Sequence, residues 1–278
     1  MPSAERKQRI ASLLASATEI TAALGLEDRL VAISHECDYP PRVLDRPRIS
    51  RPRFDPTGLE SAAIDRAVRE AMAEHGSVYE IDGDALERLR PDLIMTQAVC
   101  EVCAVPTPGV IDVVRARGLG AEVLSLDAHT IDEILETILE VGRTAGDTPR
   151  AERYVARLRA RLDRVRTAVA PERRPRLLAL EWLDPPFAPG HWVPEMIDIA
   201  GAESLLGESG GHSREVDWAD LESLDPDVLV IMPCGFGLEA SLAAANAHAA
   251  RLESVAARAI SGGRAFAVDG SSYFNRSG

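Results

Sequence analysis

The run His35-Glu36-Cys37-Asp38-Tyr39-Pro40-Pro41 sets an imidazole, two carboxylates and a thiol side by side. Such residues can ligate a metal, hydrogen-bond the periphery of a ligand, or supply a nucleophile. Three further segments carry similar chemistry. Cys100, Glu101 and Cys103 form a Cys-x-x-Cys, Cys234 opens Cys-Gly-Phe-Gly with Phe236, and His191 and Trp192 close the proline-rich stretch "WLDPPFAPGHW". A lone Cys-x-x-Cys is a weak metal signal, because zinc sites normally draw on a second spaced pair. A site for zinc or iron would therefore need Cys37, Cys100, Cys103, Cys234 and His191 to converge from distant segments. The bland reading is that free cysteines simply pack in the core. His75, His129, His212 and His248 read as structural or solvated, and "GESGGHS" around His212 as flexible linker. No Ser-His-Asp order, phosphate-cradling glycine loop or paired-carboxylate spacing stands out.

These segments gain meaning from what precedes them. In open parallel sheets, ligands bind beyond the carboxyl ends of the strands. "RLVAIS" runs into His35, "PDLIMT" into the Cys-x-x-Cys, and "RLLALE" into Trp182, Pro186, Phe187, His191 and Trp192. "PDVLVIMP" runs into Cys234, and "RAFAVDG" into Tyr273, Phe274 and Arg276. Aromatics make up only 4% of the chain, yet they gather at these ends. Rings on a stiff loop suit a flat, apolar ligand.

Two segments repeat half a chain apart. "DALERLRPDLIMT" (84–96) recurs as "ADLESLDPDVLVIM" (219–232), aligned on Pro91 and Pro226. Each reads as a short helix, a Pro-Asp turn and a buried strand. Ser16 and Glu19 suggest a capping box opening a helix that Gly25 closes, and 59–76 reads as a helix stopped by Gly76. Between the repeats, Thr148 caps and Pro149 starts a helix whose Val155, Leu158, Leu162, Val165 and Val169 draw one apolar stripe. About 22 residues at 1.5 Å each reach roughly 33 Å, enough to bridge two lobes. The expected division is an N-terminal α/β lobe over 1–146, a bridging helix over 147–171 and a C-terminal α/β lobe over 172–278. No closing helix is expected after the last strand.

The bulk numbers agree. The chain has 278 residues, 46% of them apolar and 27% charged, with a formal charge of −13. That balance argues against nucleic acid as a partner. No apolar run approaches the roughly 20 residues of a membrane span. No signal peptide or lipid anchor is visible, so the expected location is cytoplasmic, with reduced thiols.

The runs "RIASLLASATEITAALGLEDRLVAISHECDYPP", "YEIDGDALERLRPDLIMTQ", "EWLDPPFAPGHW" and "DGSSYFNRSG" resemble cobalamin-binding proteins of the ABC-transporter substrate-binding superfamily. Ferric-siderophore and haem binders share the same plan. The resemblance implies two Rossmann-like lobes with mostly parallel sheets, one long bridging helix and a ligand cleft between the lobes. It implies a corrinoid or related tetrapyrrole as cargo, with an ABC-transporter permease as partner. Asp38–Pro41, Pro185, Pro186, Phe187, Tyr273 and Phe274 match the superfamily's cleft motifs. On this reading Tyr39, Trp182, Phe187, Trp192, Phe236, Tyr273 and Phe274 clamp the ligand. Glu36, Asp38, Glu101 and Arg276 bond its periphery, and His191 or His35 approaches its metal. Two features depart from the superfamily pattern: the missing leader, and the Cys and His enrichment. They keep open a cytoplasmic metal- or thiol-dependent enzyme, or a metal-transport role, on the same scaffold.

Overall fold

The computed structural model describes residues 8–99, 104–169 and 173–276. Cys100, Glu101 and Cys103 lie outside the described residues.

Each half of the chain builds one four-stranded parallel sheet, and the two sheets share one strand order. The N-terminal sheet runs Leu30–Ala32, Ile10–Ser12, Leu93–Thr96, Glu122–Ser125. The C-terminal sheet runs Glu203–Ser204, Arg176–Leu180, Val228–Ile231, Ala265–Ala267. In sequence order both read second, first, third, fourth.

The internal repeat is real at the level of single bonds. Its helices span Gly83–Leu89 and Trp218–Leu221. Arg90 and Asp225, one residue before each proline, both adopt the left-handed conformation, with φ of 42° and 41°. A non-glycine residue seldom sits there. In both lobes the aspartate after the proline clips the start of the first strand. Asp92 accepts from Arg9 N–H at 2.8 Å and Asp227 from Arg176 N–H at 2.9 Å. The reverse backbone bonds, Asp92 N–H to Arg9 O and Asp227 N–H to Arg176 O, are both 2.8 Å.

Helices cover both faces of the N-terminal sheet. One face buries Ile10, Leu93 and Met95 against Ile20, Leu135, Ile138 and Val141; the other buries Ala11 and Ile94 against Leu86, Val110 and Val114. The C-terminal sheet is likewise sandwiched, by Leu252 and Val255 on one side and Val193 and Ile197 on the other.

The bridging helix spans Thr148–Ala168, 21 residues, with Pro149 in its first turn. At 1.5 Å per residue it is about 32 Å long. Its apolar stripe divides: Val155 is buried and Leu158 and Leu162 pack on the N-terminal core, but Val165 is exposed. Two sequence-based expectations about caps give way. The first helix spans Ala15–Ala23 with Leu14 as N-cap and no side-chain cap bond. Ser16 therefore lies inside the helix, and Glu19 bonds Arg276 instead. The bridging helix is preceded by Asp147, not Thr148, at its cap position. The helix Ser61–His75 does end on left-handed Gly76.

Beside the C-terminal sheet lies a small antiparallel one that the sequence did not announce. Trp182–Leu183 pairs with Pro186–Ala188, which pairs with Arg214–Glu215. The proline-rich stretch is thus partly strand, with a cis peptide at Asp184-Pro185; a second lies at Tyr39-Pro40.

Candidate functional site

The loop from Ser34 to Tyr39 leaves the N-terminal sheet and is held from below. The Arg48 guanidinium donates to the carbonyls of Ser34, His35 and Cys37 at 2.8–3.0 Å. His35 Nδ1 lies 2.8 Å from Ser50 Oγ, and its ring packs on Tyr79 with centroids 4.9 Å apart. Its partners are thus within its own lobe. Cys37 is 1% exposed, and its Sγ lies 3.1 Å from Thr18 Oγ1. Burial pushes its thiol pKa up. This cysteine packs behind the loop as a neutral thiol, which suits neither metal ligation nor nucleophilic attack. Glu36, Asp38 and Tyr39 are exposed.

From the other lobe, Arg276 reaches across to this loop. It donates to both carboxylate oxygens of Asp38, at 2.5 and 2.9 Å, and to Glu19 Oε1 at 3.1 Å. Ser271 Oγ, at 3.2 Å, braces it from its own lobe. The Arg276 side chain is only 12% exposed. Its hydrogen bonds to Asp38 hold that carboxyl below the usual range. Glu19 goes the other way: burial raises its pKa, and Arg276 opposes the rise. Tyr39 and Tyr273, one from each lobe, flank this bridge in sequence and are 57% and 69% exposed. Free phenol rings are costly in water and useful to a ligand.

Other aromatics line the strand ends of the C-terminal lobe. Trp182 meets Phe236 edge-on at 5.1 Å. Phe187 sits in register opposite Trp182, and Pro186 is buried. The Trp192 indole donates to Phe274 O at 2.8 Å, tying the segment after the last strand to the helix that starts at Val193. Cys234 follows the strand Val228–Ile231, its backbone N–H bonded to Glu181 O at 3.0 Å.

A second convergence escaped the sequence reading. His129 follows the edge strand Glu122–Ser125 of the N-terminal lobe, and His191 and His212 come from C-terminal-lobe loops. One ring nitrogen from each lies within 4.8 Å of those of the other two, and among the described residues this is the one group of three or more His, Cys, Asp or Glu so placed. It includes His191 but neither Cys37 nor Cys234. His129 Nδ1 and His191 Nδ1 are 3.3 Å apart. The local chain is built to this shape. A Thr130–Glu133 capping box pins His129, whose N–H donates to Glu133 at 2.6 Å. His191 stands in the left-handed region at φ 53°. Its N–H donates to Gly211 O at 2.6 Å, and its carbonyl accepts from Gly210 N–H at 3.0 Å. A Cβ on Gly190 would strike the backbone of Gly211, His212 and Ser213, so only glycine lets the two loops meet. Across the lobes, Glu195 accepts from Ile131 N–H at 2.7 Å. Burial, then the two neighbouring imidazoles, lower the His191 pKa to about 4. Glu181, below these loops, is raised to about 7 by burial, against hydrogen bonds from Ser213 and Gly190. A strand-end search that included "EVLSLDAHT" would have flagged His129; no local signal marks His212.

Comparison with known proteins gives this geometry its context. The profile of a family described as periplasmic binding protein matches residues 10–258. A vitamin B12-binding protein of Vibrio cholerae serotype O1 is 27% identical over 205 residues, covering 73% of this chain and 62% of the relative. The chain thus spans less than two thirds of that relative's length. Among solved structures, the periplasmic vitamin B12 binding protein BtuF of Vibrio cholerae aligns with a TM-score of 0.64 and 22% identity, over 95% of this chain and 88% of that one. The periplasmic heme binding protein HutB of Vibrio cholerae aligns at 0.69 and 18%, over 98% and 93%. A periplasmic heme binding protein from Pseudomonas aeruginosa aligns at 0.70 and 21%, over 95% and 85%. These structural likenesses establish the fold.

Proposed function

This chain belongs to the periplasmic binding protein family, and on that premise we propose that it binds a corrinoid between its lobes and hands it to an ABC-transporter permease. The observation that carries the reading is the pair of exposed tyrosines that flank, in sequence, an ionic bridge between lobes, with Ser271 linking Arg276 to Phe236 of a Trp182–Phe236 aromatic corner. Aromatic faces stack on a macrocycle. Glu36, and Asp38 and Arg276 once their bridge opens, match the amide periphery of such a ligand. Each ring contact of this kind contributes about 0.5–1.5 kcal/mol beyond area burial. The vitamin B12-binding relative supports a corrinoid ahead of other macrocycles.

Haem is the second reading, favoured by neighbours named as heme-binding. The chemistry of the ring faces serves both, and the peripheral groups separate them. Haem carries two propionates, which would compete with Asp38 for Arg276; a cobalamin periphery of neutral amides can bond to the carboxylates and the guanidinium together. An anionic ferric siderophore would meet Asp38 and Glu36 at this mouth, and the nearby guanidiniums of Arg276 and Arg48 are already engaged.

The cytoplasmic expectation finds no support among relatives described as periplasmic. Among the described residues no helix is long and apolar enough to cross a membrane. Isothermal titration with cyanocobalamin, hemin and a ferric siderophore tests the assignment. The reading expects one cyanocobalamin per chain and weaker hemin binding. Saturable binding of hemin alone would move the assignment to haem, and binding of neither would end both readings.

A further inference from the structure

We propose that His129, His191 and His212 together form a site for one divalent transition-metal ion, such as Zn2+ or Co2+, that joins the N-terminal lobe to the C-terminal lobe. Three neutral imidazoles are the ligand set of many zinc sites, with a fourth position left to water or another small ligand. Two nitrogens bound at 2.0–2.1 Å around a tetrahedral ion stand about 3.3–3.4 Å apart. His129 Nδ1 and His191 Nδ1 are already 3.3 Å apart. One nitrogen of His212 lies within 4.8 Å of a nitrogen of each of the other two, so a shift of His212 by about an ångström or two completes the set. His212 is exposed and free to make that shift, while its two partners are half-buried.

The surroundings are those of a built site. The capping box fixes the backbone of His129. Gly190 allows the His212 loop to lie against the His191 loop, and two backbone hydrogen bonds lock them together. His191 holds a strained left-handed backbone, of a kind that persists where the surrounding structure imposes it. Three imidazoles crowded at this range favour the neutral, ligating form. The rings also meet edge-on, His129 with His212 and His191 with His212, both at 5.5 Å.

The consequence is mechanical as well as chemical. His129 belongs to one lobe and the other two ligands to its neighbour. An ion here would clamp the lobes at a point that Arg276 and Asp38 do not occupy. The clamp needs no macrocycle, so the inference stands or falls separately from the corrinoid reading.

The test uses the full chain, stripped with chelator and free of cobalamin. Equilibrium dialysis with Zn2+, and visible spectroscopy with Co2+, read stoichiometry and geometry. The expected result is one ion per chain and the intense visible bands of tetrahedral Co2+. Loss of a supporting partner alone typically costs 10–100-fold in metal affinity, so loss of a ligand should cost about 100-fold or more. That loss is expected for His129→Gln, His191→Asn and His212→Gln, with His75→Gln unchanged. Asparagine suits position 191 because it tolerates the left-handed conformation. Circular dichroism of the metal-free variants checks that each remains folded. Affinity undiminished in the three variants, binding of more than one ion with no tetrahedral Co2+ spectrum, or no binding at micromolar Zn2+ would overturn the proposal. If single variants unfold, cross-lobe protection supplies the second measurement: Zn2+ should slow proteolysis of the wild-type chain, and equal cleavage with and without Zn2+ would also overturn it.

Discussion

Replacing Arg276 by Met keeps most of its apolar length and removes its charge. In the native protein this guanidinium holds Asp38 with two bonds and Glu19 with a third, across the lobe boundary. Breaking a fully buried ion pair by removing one partner costs about 3–5 kcal/mol, and breaking an exposed one about 0–1. Here the arginine is 12% exposed but the Asp38 side chain 61%, which places the loss between those limits, at about 1–3 kcal/mol. At roughly 2–4 °C per kcal/mol for a larger domain, the melting temperature should fall by about 2–12 °C. Asp38→Asn should cost less, because Arg276 keeps Glu19. Urea unfolding of both single variants and the double variant, followed by tryptophan fluorescence and far-UV circular dichroism, closes a double-mutant cycle. The expected coupling is about 1–2 kcal/mol. A coupling below about 0.3 kcal/mol would show that the bridge does not hold in solution, and the lobe-mouth argument would go with it.

Three further outcomes follow from particular side chains. Glu181 has its folded-state pKa raised to about 7 from an ordinary value near 4.5, so between those values the folded state binds the extra proton. Stability should therefore fall as pH rises from 5 to 8, by about 2–3 kcal/mol at most; urea titrations in chelator should show this slope, and Glu181→Gln should flatten it. Cys37, buried and held neutral, should resist iodoacetamide in the native protein and react only on unfolding, as peptide mass mapping would read; rapid native alkylation would contradict its placement. Gly190→Ala forces a methyl into the backbone of the His212 loop and should cost about 1–3 kcal/mol by overpacking. An unchanged melting temperature would mean the two loops do not meet.

How much of this was legible depended on whether the signal was local. The repeat around Pro91 and Pro226 was readable because a helix, a left-handed stop and a Pro-Asp turn lie within a dozen residues, and both copies fold alike. The bridging helix was readable from its stripe, though Val165 shows that one member of the stripe faces solvent. The Ser16–Glu19 pattern misled because tertiary contact outweighed it: Glu19 is drawn to an arginine 257 residues away. The strand-end rule led to Asp38, Trp182, Tyr273 and Arg276, and the structure joins Asp38 to Arg276. It could not separate an outward Asp38 from an inward Cys37, because neighbouring loop residues point as the local turn dictates. The histidine trio was illegible for a related reason. Residues 129, 191 and 212 share no metal-ligand spacing, and a steric fact about Gly190, invisible in the sequence, brings two of them together.

The ligand claim meets its plainest trial in gel filtration with cyanocobalamin, comparing the wild-type chain with a Tyr39→Ala/Tyr273→Ala variant. The account expects one equivalent of the red corrinoid to elute with the wild-type protein and far less with the variant, whose fold circular dichroism should show intact. No corrinoid on the wild-type protein, or the same amount on both, would contradict it.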